Sequence, residues 1–527
     1  GSHQYQSLLL HGVTGSGKTE IYLRAAKEAL AGGRQALILV PEIALVHQME
    51  SRFRNRFRDR IALLHSGLTP GERLDQWRKI QQGLSPIVIG TRSAIFAPLD
   101  QPGLIVIDEE HDPSYKQIDS LRYNARDLAL VRGRFAEATV VLGSATPSIG
   151  TLFLRRQKKI GYLRLSKRVN DQILPEVHFV DLKKRPRGRK NPLFAPELEE
   201  AMVKNLQAGK QTLLFLNRRG FDTLIICALC GAVLKCRNCA LTLTHHAKEG
   251  RLLCHTCGYN ISLPALCPEC GQKGLKTLGM GTEKVEQELA LLFPQAGIDR
   301  MDRDTVQRKS AHFEILKRVR DRKTDILIGT QMITKGHDFP QVTLIGVLCA
   351  DLSLNWPDFR AGERTFQLMA QVAGRAGRGM HPGQVYIQTF NPDHYIFKYI
   401  RHHDYLGFYR QELAFRRALL YPPFSRLINV LIQGNQEEAV KKAAGRIHSL
   451  LMEAIAKERW GSSLEVLGPV PAPIARIKGR FRWQMLLKGP SSTILHRAAG
   501  LIQQADKTMN KGTGVQIVLD VDPVDML

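Results

Sequence analysis

The apolar run SLLLHG at residues 7–12 passes without interruption into GVTGSGKT at 12–19, and from there into a helical pattern. The spacing G-x4-G-K-[ST] has physical meaning only in that setting, where a strand ends in a glycine-rich turn and a helix opens behind it. The glycines let backbone N–H groups turn inward around an anion, the lysine adds a point charge, and the final hydroxyl suits a magnesium ion. Gly12, Thr14, Gly15, Ser16, Gly17, Lys18 and Thr19 are thereby assigned to the phosphates of ATP and to Mg2+.

The surrounding pattern agrees with such a turn. QALILV, IALLH, PIVIG, LIVID and TVVLG alternate with amphipathic stretches up to about residue 136, which predicts a parallel sheet with helices on both faces. The alternation resumes with TLLFL (212–216), DILIG (325–329), TLIGVL (343–348) and QVYIQTF (384–390). The fold class is therefore α/β with two similar parallel-sheet lobes. YPPF at 421–424 breaks the preceding helix, and the mixed pattern beyond it reads as a small α/β C-terminal domain. The expected divisions are residues 1–160 for lobe one, 161–226 for a linker and the start of lobe two, 227–270 for a Cys-rich insertion, 271–420 for the rest of lobe two, and 421–527 for the C-terminal domain.

A phosphate turn of this type needs an acidic partner at the end of a later strand, and LIVIDEEH at 104–111 supplies one. Asp108 is expected to hold Mg2+, and Glu109 to orient and deprotonate the attacking water. Glu110 reads as a neighbour on the turn; His111 is either another neighbour or a link to the segments that follow. In lobe two, QVAGRAGRG at 371–379 places Arg375 and Arg378 on one helical face, with Gln371 a turn earlier. Such arginines are worth roughly 10³ to 10⁵ in turnover where they meet the transition state.

Residues 227–270 carry four C-x2-C pairs, eight of the nine cysteines in 527 residues. So few and so clustered, they read as thiolate metal ligands in a reducing compartment, hence a cytoplasmic chain, and not as a disulfide framework. Five residues separate Cys230 from Cys236, while fourteen separate Cys239 from Cys254. The longer spacing suits a shared ribbon, so Cys236, Cys239, Cys254 and Cys257 are expected on one zinc ion, with Cys227, Cys230, Cys267 and Cys270 on a second. Four thiolates close the tetrahedron and make each site structural; a redox pair and an iron–sulfur cluster are the competing chemistries. His245, His246 and His255 are then surplus and expected in solvent, and Cys349 is expected in the core.

Lys plus Arg total 75 against 49 Asp plus Glu, a formal charge of +26. That excess points to a polyanionic partner. The basic run DLKKRPRGRKNP at 181–192 reads as a flexible linker. No apolar run approaches the span of a bilayer, and the leading GSH resembles a tag remnant without targeting information.

GVTGSGKT, LVPEIAL (39–45), GTRSA (90–94), DEEH, GSATP (143–147), LLFLNRRG (213–220), IGTQMITKGHDF (328–339) and QVAGRAGR stand in the order found in superfamily 2 helicases. With FLNRRGF leading into the cysteine pairs and LGPVPAPIARIKGRFRWQMLLKGP near the end, the whole chain resembles the PriA family of bacterial replication-restart helicases. The resemblance implies RecA-like lobes, 3′-to-5′ DNA unwinding at stalled or repaired forks, and primosome assembly. It implies a backbone-gripping face at Pro41, Glu42, Thr91, Arg92, Thr330 and Lys335, with Gly336 and Asp338 near the nucleotide. It also implies a DNA-sensing loop at DPSYKQIDSLRYNARD, where Tyr115 and Tyr123 either stack on bases or pack as ordinary tyrosines. GSATP would link hydrolysis to movement, and the cysteine module would stand at the strand-separation point. Expected partners are single-stranded and forked DNA, single-strand DNA-binding protein and other primosome proteins; a monomer is expected. The resemblance also implies an N-terminal DNA-binding region ahead of lobe one; the given sequence starts at the first strand of that lobe, so the region is either cut away or lacking in this member. Trp483, among basic residues, is either a nucleic-acid contact or core. An RNA motor and a zinc-ribbon scaffold with an inactive ATPase remain the rival readings.

Overall fold

The computed structural model describes residues 4–169, 174–185, 193–216, 224–247, 249–279, 281–302, 305, 311–334, 339, 341–377, 382–509 and 514–526. The chain forms two compact units that divide in sequence between Leu174 and Pro175, with Thr334 grouped with the first.

The first unit is a seven-stranded parallel sheet. Its strands are β1 (Gln6–Gly12), β2 (Gln35–Leu39), β3 (Ile61–Leu64), β4 (Ile87–Gly90), β5 (Pro102–Asp108), β6 (Thr139–Ser144) and β7 (Gly161–Leu165), in the order β3-β4-β2-β5-β6-β1-β7. The central strands are apolar on both sides, as a sheet covered by helices on each face requires. Leu37, Ile38, Ile105, Val106 and Val140 are fully buried. Because β5, β6 and β1 are neighbours and parallel, their C-terminal residues Asp108, Ser144 and Gly12 lie along one rim. Ligands of open parallel sheets gather at that rim.

The second unit has three layers of organisation. Strands β8 (Glu176–Asp181) and β9 (Gln211–Phe215) belong to its main sheet. The chain then leaves the sheet for β10 (Leu224–Cys227), β11 (Thr244–His246), β12 (Arg251–Leu253), β13 (Asn260–Ser262) and β14 (Leu275–Leu278). β10 and β14 pair as an antiparallel stem, and β11, β12 and β13 form a small sheet beyond it. The stem is rooted in lobe two: Ile226 is buried with Val180, Ala195 and Phe390. The helix Thr282–Leu292 returns the chain to β15 (Ile298–Met301), β16 (Ile326–Gly329), β17 (Val342–Val347) and β18 (Gln384–Thr389), giving the parallel order β15-β16-β9-β17-β18-β8. Finally β19 (Arg426–Gly434), β20 (Glu465–Ile477), β21 (Arg480–Gly489) and β22 (Gln516–Val521) form an antiparallel sheet whose core is shared with the helices Glu437–Lys457 and Ser492–Met509. Trp483 packs partly buried against that core. Cys349 is buried beside Leu224 and Leu352, as read from the sequence. The linker residues 186–192 lie outside the described residues, and among the described residues no helix is long and apolar enough to cross a membrane.

Within the second unit the helices Ala361–Ala373 and Tyr405–Ala418 are joined by a buried ionic group. Arg416 donates from Nη2 to Glu363 at 2.7 Å and from Nε to Glu412 at 3.1 Å, and Tyr395 donates its hydroxyl proton to Glu412 at 2.7 Å. All three charged side chains are less than a tenth exposed. Removing one member leaves the others charged and unpaired in a dry site. Arg416→Met should therefore lower the unfolding free energy by about 3–5 kcal/mol, read from urea denaturation followed by circular dichroism.

Candidate nucleotide site and metal centres

The phosphate turn is shaped by glycines used for their backbone freedom. Gly15 and Gly17 sit at φ 82° and 85°, in the left-handed region, and Gly17 caps the helix Lys18–Ala31. Lys18 lies across the turn and donates to the Gly12 carbonyl at 2.9 Å, and Thr19 accepts a hydrogen bond from Arg52 at 3.1 Å. Ser16 Oγ is buried and has no hydrogen-bond partner among the described residues. A buried hydroxyl left open beside a lysine at a helix N-terminus fits an anion in the cradle.

Asp108 closes the other side. Burial pushes its carboxyl up to about 6, with the Glu109 charge adding to the shift, while Lys18 and the Tyr22 hydroxyl oppose it. Tyr22, on the helix that follows the phosphate turn, donates to Asp108 Oδ1 at 2.9 Å. That contact explains the glycine of GSATP: a Cβ on Gly143 would collide with the Tyr22 hydroxyl. An acid whose ionised form burial disfavours is one that a dication would stabilise, which fits the magnesium expected at Asp108.

Glu109 takes φ 47°, a backbone value that is strained for a residue with a side chain. Its Oε2 is buried without a hydrogen bond among the described residues and stands 3.7 Å from His111 Nδ1. His111 and Ser144 share a hydrogen bond of 2.7 Å, and Ser144 Oγ accepts the Thr146 N–H at 3.0 Å. Of the two readings of His111, the structure carries the linking one: the histidine ties DEEH to GSATP. Glu110 is more than a neighbour on the turn. It accepts the Ser148 N–H at 2.6 Å and the Thr151 hydroxyl at 2.8 Å, anchoring the helix Ile149–Arg156 that follows GSATP.

Of the residues expected at nucleic acid, Tyr115 takes the packed one of its two readings, and Pro41 and Arg92 have hydrogen-bond partners within the protein. Tyr115 is 1% exposed, and its hydroxyl donates to the carbonyls of Leu39 and Asp108 at 3.0 and 2.6 Å, so no ring face is left for a base. Pro41 is buried, and its carbonyl accepts the Ser114 hydroxyl at 3.0 Å. Arg92 is a strut: its Nη1 donates to the Ser114 and Lys116 carbonyls at 3.2 and 2.8 Å. Tyr123 differs, being half-buried and edge-on to the exposed Phe96 at 5.0 Å between ring centres. Glu42 and Thr91 are extended residues that open the helix Ile43–Phe57 and the short helix Arg92–Phe96, and Thr330 follows β16. In the second unit Gln371 lies in the last turn of the helix Ala361–Ala373, and Arg375 follows it. Lys335, Gly336, Asp338 and Arg378 lie outside the described residues.

The cysteines gather in the nested grouping. Cys227, Cys230, Cys267 and Cys270 form one set and Cys236, Cys239, Cys254 and Cys257 the other, each with all sulfurs within 4.8 Å. Sulfur separations of 3.8, 3.7 and 3.5 Å match the edge of about 3.8 Å that a tetrahedron with Zn–S bonds of about 2.3 Å requires. The crowded thiols also perturb one another. The bond between Cys239 and Cys254 drives Cys239 far up and Cys254 down to about 5. The histidines are corrected. His255 is 5% exposed and not in solvent; it bonds through its ring to His246 and to the Pro471 carbonyl, both at 3.0 Å, and its own carbonyl accepts Gln484 Nε2 at 2.8 Å. The outer zinc ribbon is thus fastened to the C-terminal domain, a joint that nothing in the cysteine spacing announces.

A glycine-rich phosphate turn and acidic rim on one parallel sheet, followed by a second parallel sheet, define a two-lobed nucleotide-binding fold, and the family models that match it are those of helicases. The model for DEAD/DEAH box helicases matches residues 2–152 and the helicase conserved C-terminal domain residues 276–380. The PriA DNA helicase Cys-rich region matches residues 236–261, and the primosomal protein N C-terminal domain residues 417–524. Replication restart protein PriA of Haemophilus influenzae is 42% identical over 98% of this chain and 70% of its own length; that of Treponema pallidum is 42% identical over 99% and 77%. The Bacillus subtilis protein is 44% identical over all of this chain, which spans just under two thirds, 65%, of that relative. The chain belongs to the PriA family of replication restart proteins.

Two outcomes follow from this geometry. Cys239→Ser should reduce bound zinc from two ions to one per chain, measured by elemental analysis of purified protein. Glu109→Gln should abolish ATP turnover while leaving binding of a fluorescent ATP analogue within about threefold, the split expected of a carboxylate that serves the attacking water and not the phosphates.

Proposed function

We propose that the chain is an ATP-driven DNA helicase and translocase of 3′-to-5′ polarity that acts at stalled or repaired replication forks to restart replication and assemble the primosome. The observation that carries this reading is the intact hydrolytic rim, Lys18, Asp108 and Glu109, in a member of the PriA family. A bound magnesium ion would supply charge neutralisation at the phosphates. Lys18 and the inward N–H groups of the turn hold the phosphates, and Asp108 holds the ion. Glu109 takes the proton of the attacking water. Gln371 is assigned to the nucleotide, and Arg375 and Arg378 to countering the charge of the transition state, on the resemblance of QVAGRAGR to the helicase motif. His111, bonded to Ser144, passes the state of the site to GSATP. Gly336 and Asp338 stand near the nucleotide, and Glu42, Thr91, Thr330, Lys335 and Tyr123 contact the tracked strand.

The zinc module does no chemistry and helps to part the duplex. The partners are single-stranded and forked DNA, single-strand DNA-binding protein and other primosome proteins; the chain works in the cytoplasm as a monomer. The test is strand separation on paired substrates. A duplex with a 3′ single-stranded tail should be unwound at least about tenfold faster than one with a 5′ tail, and Cys236→Ser should weaken unwinding more than DNA-stimulated hydrolysis. Equal rates on the two tails would overturn the polarity, and a parallel loss of unwinding and hydrolysis in Cys236→Ser would make the module part of the motor's fold.

A further inference from the structure

The helix Ala361–Ala373 carries Gln371 in its last turn, and Arg375 follows two residues beyond. Its other end is held by the last residues of the chain. Asp358, buried just before the helix, accepts the Arg360 N–H at 2.9 Å and faces the Arg364 guanidinium at 3.4 Å. Both arginines then reach the terminal segment. Arg360 Nη2 donates to the Pro523 carbonyl at 2.6 Å, Arg364 Nη2 donates to the Val524 carbonyl, and Arg364 Nη1 stands 3.8 Å from Asp525. Met526 is 5% exposed in a cluster with Leu427 and Leu486, and Phe359 packs against the same cluster.

Here four successive residues are tied, and the arginines that hold two of their carbonyls occupy the cap and first turn of one helix. Guanidinium groups suit that task because their donors are fixed in a plane and lose little freedom per bond. Phe359 adds a second anchor at the same point, stacked on Tyr421 with ring centres 4.6 Å apart and planes 4° from parallel.

We propose that the terminal segment, residues 523–526, is a positioning element for ATP hydrolysis: it fixes the first turn of this helix and so sets where Gln371 and Arg375 stand at the far end. The helix is about 20 Å long and stiff, so a tilt at its first turn is carried to its last. The inference rests on the reading of the chain as an ATP-driven motor. It makes the C-terminal domain, whose strand β22 runs directly into the segment, a contributor to turnover as well as a possible binding module.

The test uses the 527-residue chain, a form ending at Asp522, and a form with two glycines inserted between Asp522 and Pro523. The insertion keeps every side chain in the chain but moves residues 523–526 out of register with Arg360 and Arg364. Both variants should lose about tenfold or more in kcat for hydrolysis stimulated by single-stranded DNA, the scale expected for an ångström-level misplacement. KM for ATP, DNA affinity by fluorescence anisotropy and the melting temperature of the inserted form should stay close to the parent values. An unchanged kcat in a folded variant overturns the inference, as does a parallel loss of kcat, ATP affinity and DNA affinity, which is what a merely structural segment gives. A parent chain that does not hydrolyse ATP overturns the functional reading and this inference with it, whereas a hydrolysing parent matched by its variants overturns the inference alone.

Discussion

The position of Asp108 is the constraint on which the rest of the first unit depends. A carboxylate at the end of a buried strand has lost most of its water, and the surrounding groups are arranged to tolerate it. Tyr22 reaches its Oδ1 from the helix behind the phosphate turn, and Tyr115 holds its backbone carbonyl from the segment after DEEH. Gly143 gives Tyr22 the room to do so. Three segments, the helix behind the phosphate turn, the segment after DEEH and GSATP, therefore meet around one acid. From the same turn His111 bonds Ser144 at the start of GSATP, and Tyr115 and Ser114 bond the carbonyls of Leu39 and Pro41 at the end of β2 and in LVPEIAL.

The second unit is organised by its attachments. The cysteine module is not a loose insertion: its stem is buried in lobe two, and His255 and Gln484 join its outer ribbon to the C-terminal domain. Zinc explains how so short a stretch holds a fold at all, since the cluster of Leu243, Leu252 and their neighbours is too small to order the module without cross-links. The same economy appears at the buried group of Arg416, Glu363 and Glu412, where specific geometry, more than net stabilisation, joins the helix Ala361–Ala373 to the helix Tyr405–Ala418.

Much of this was legible in the sequence. The inner strands of both sheets, the phosphate turn, the acidic rim and the nested cysteine sets all announce themselves through apolar runs or fixed spacing. The strands that escaped, β7, β8 and β15, are sheet edges. An edge strand is wet on one side, and GYLRL, EVHFVD and IDRM accordingly lack a continuous apolar run. Tyr115 was ambiguous for a different reason. A tyrosine in a polar loop gives no sign that its hydroxyl will find two buried carbonyls, because both acceptors come from other strands. His255 and Gln484 are hidden in the same way, by a contact that joins residues more than two hundred positions apart.

The central claim is that the site on the first unit drives movement on DNA. Steady-state ATP hydrolysis by this chain tests it most directly, measured alone and with single-stranded DNA or RNA of the same sequence across a salt series. The account predicts strong stimulation by DNA, weak stimulation by RNA, and DNA binding that weakens with salt at a slope of about −0.7 per neutralised phosphate. Equal stimulation by RNA, or no hydrolysis under any condition, would contradict it.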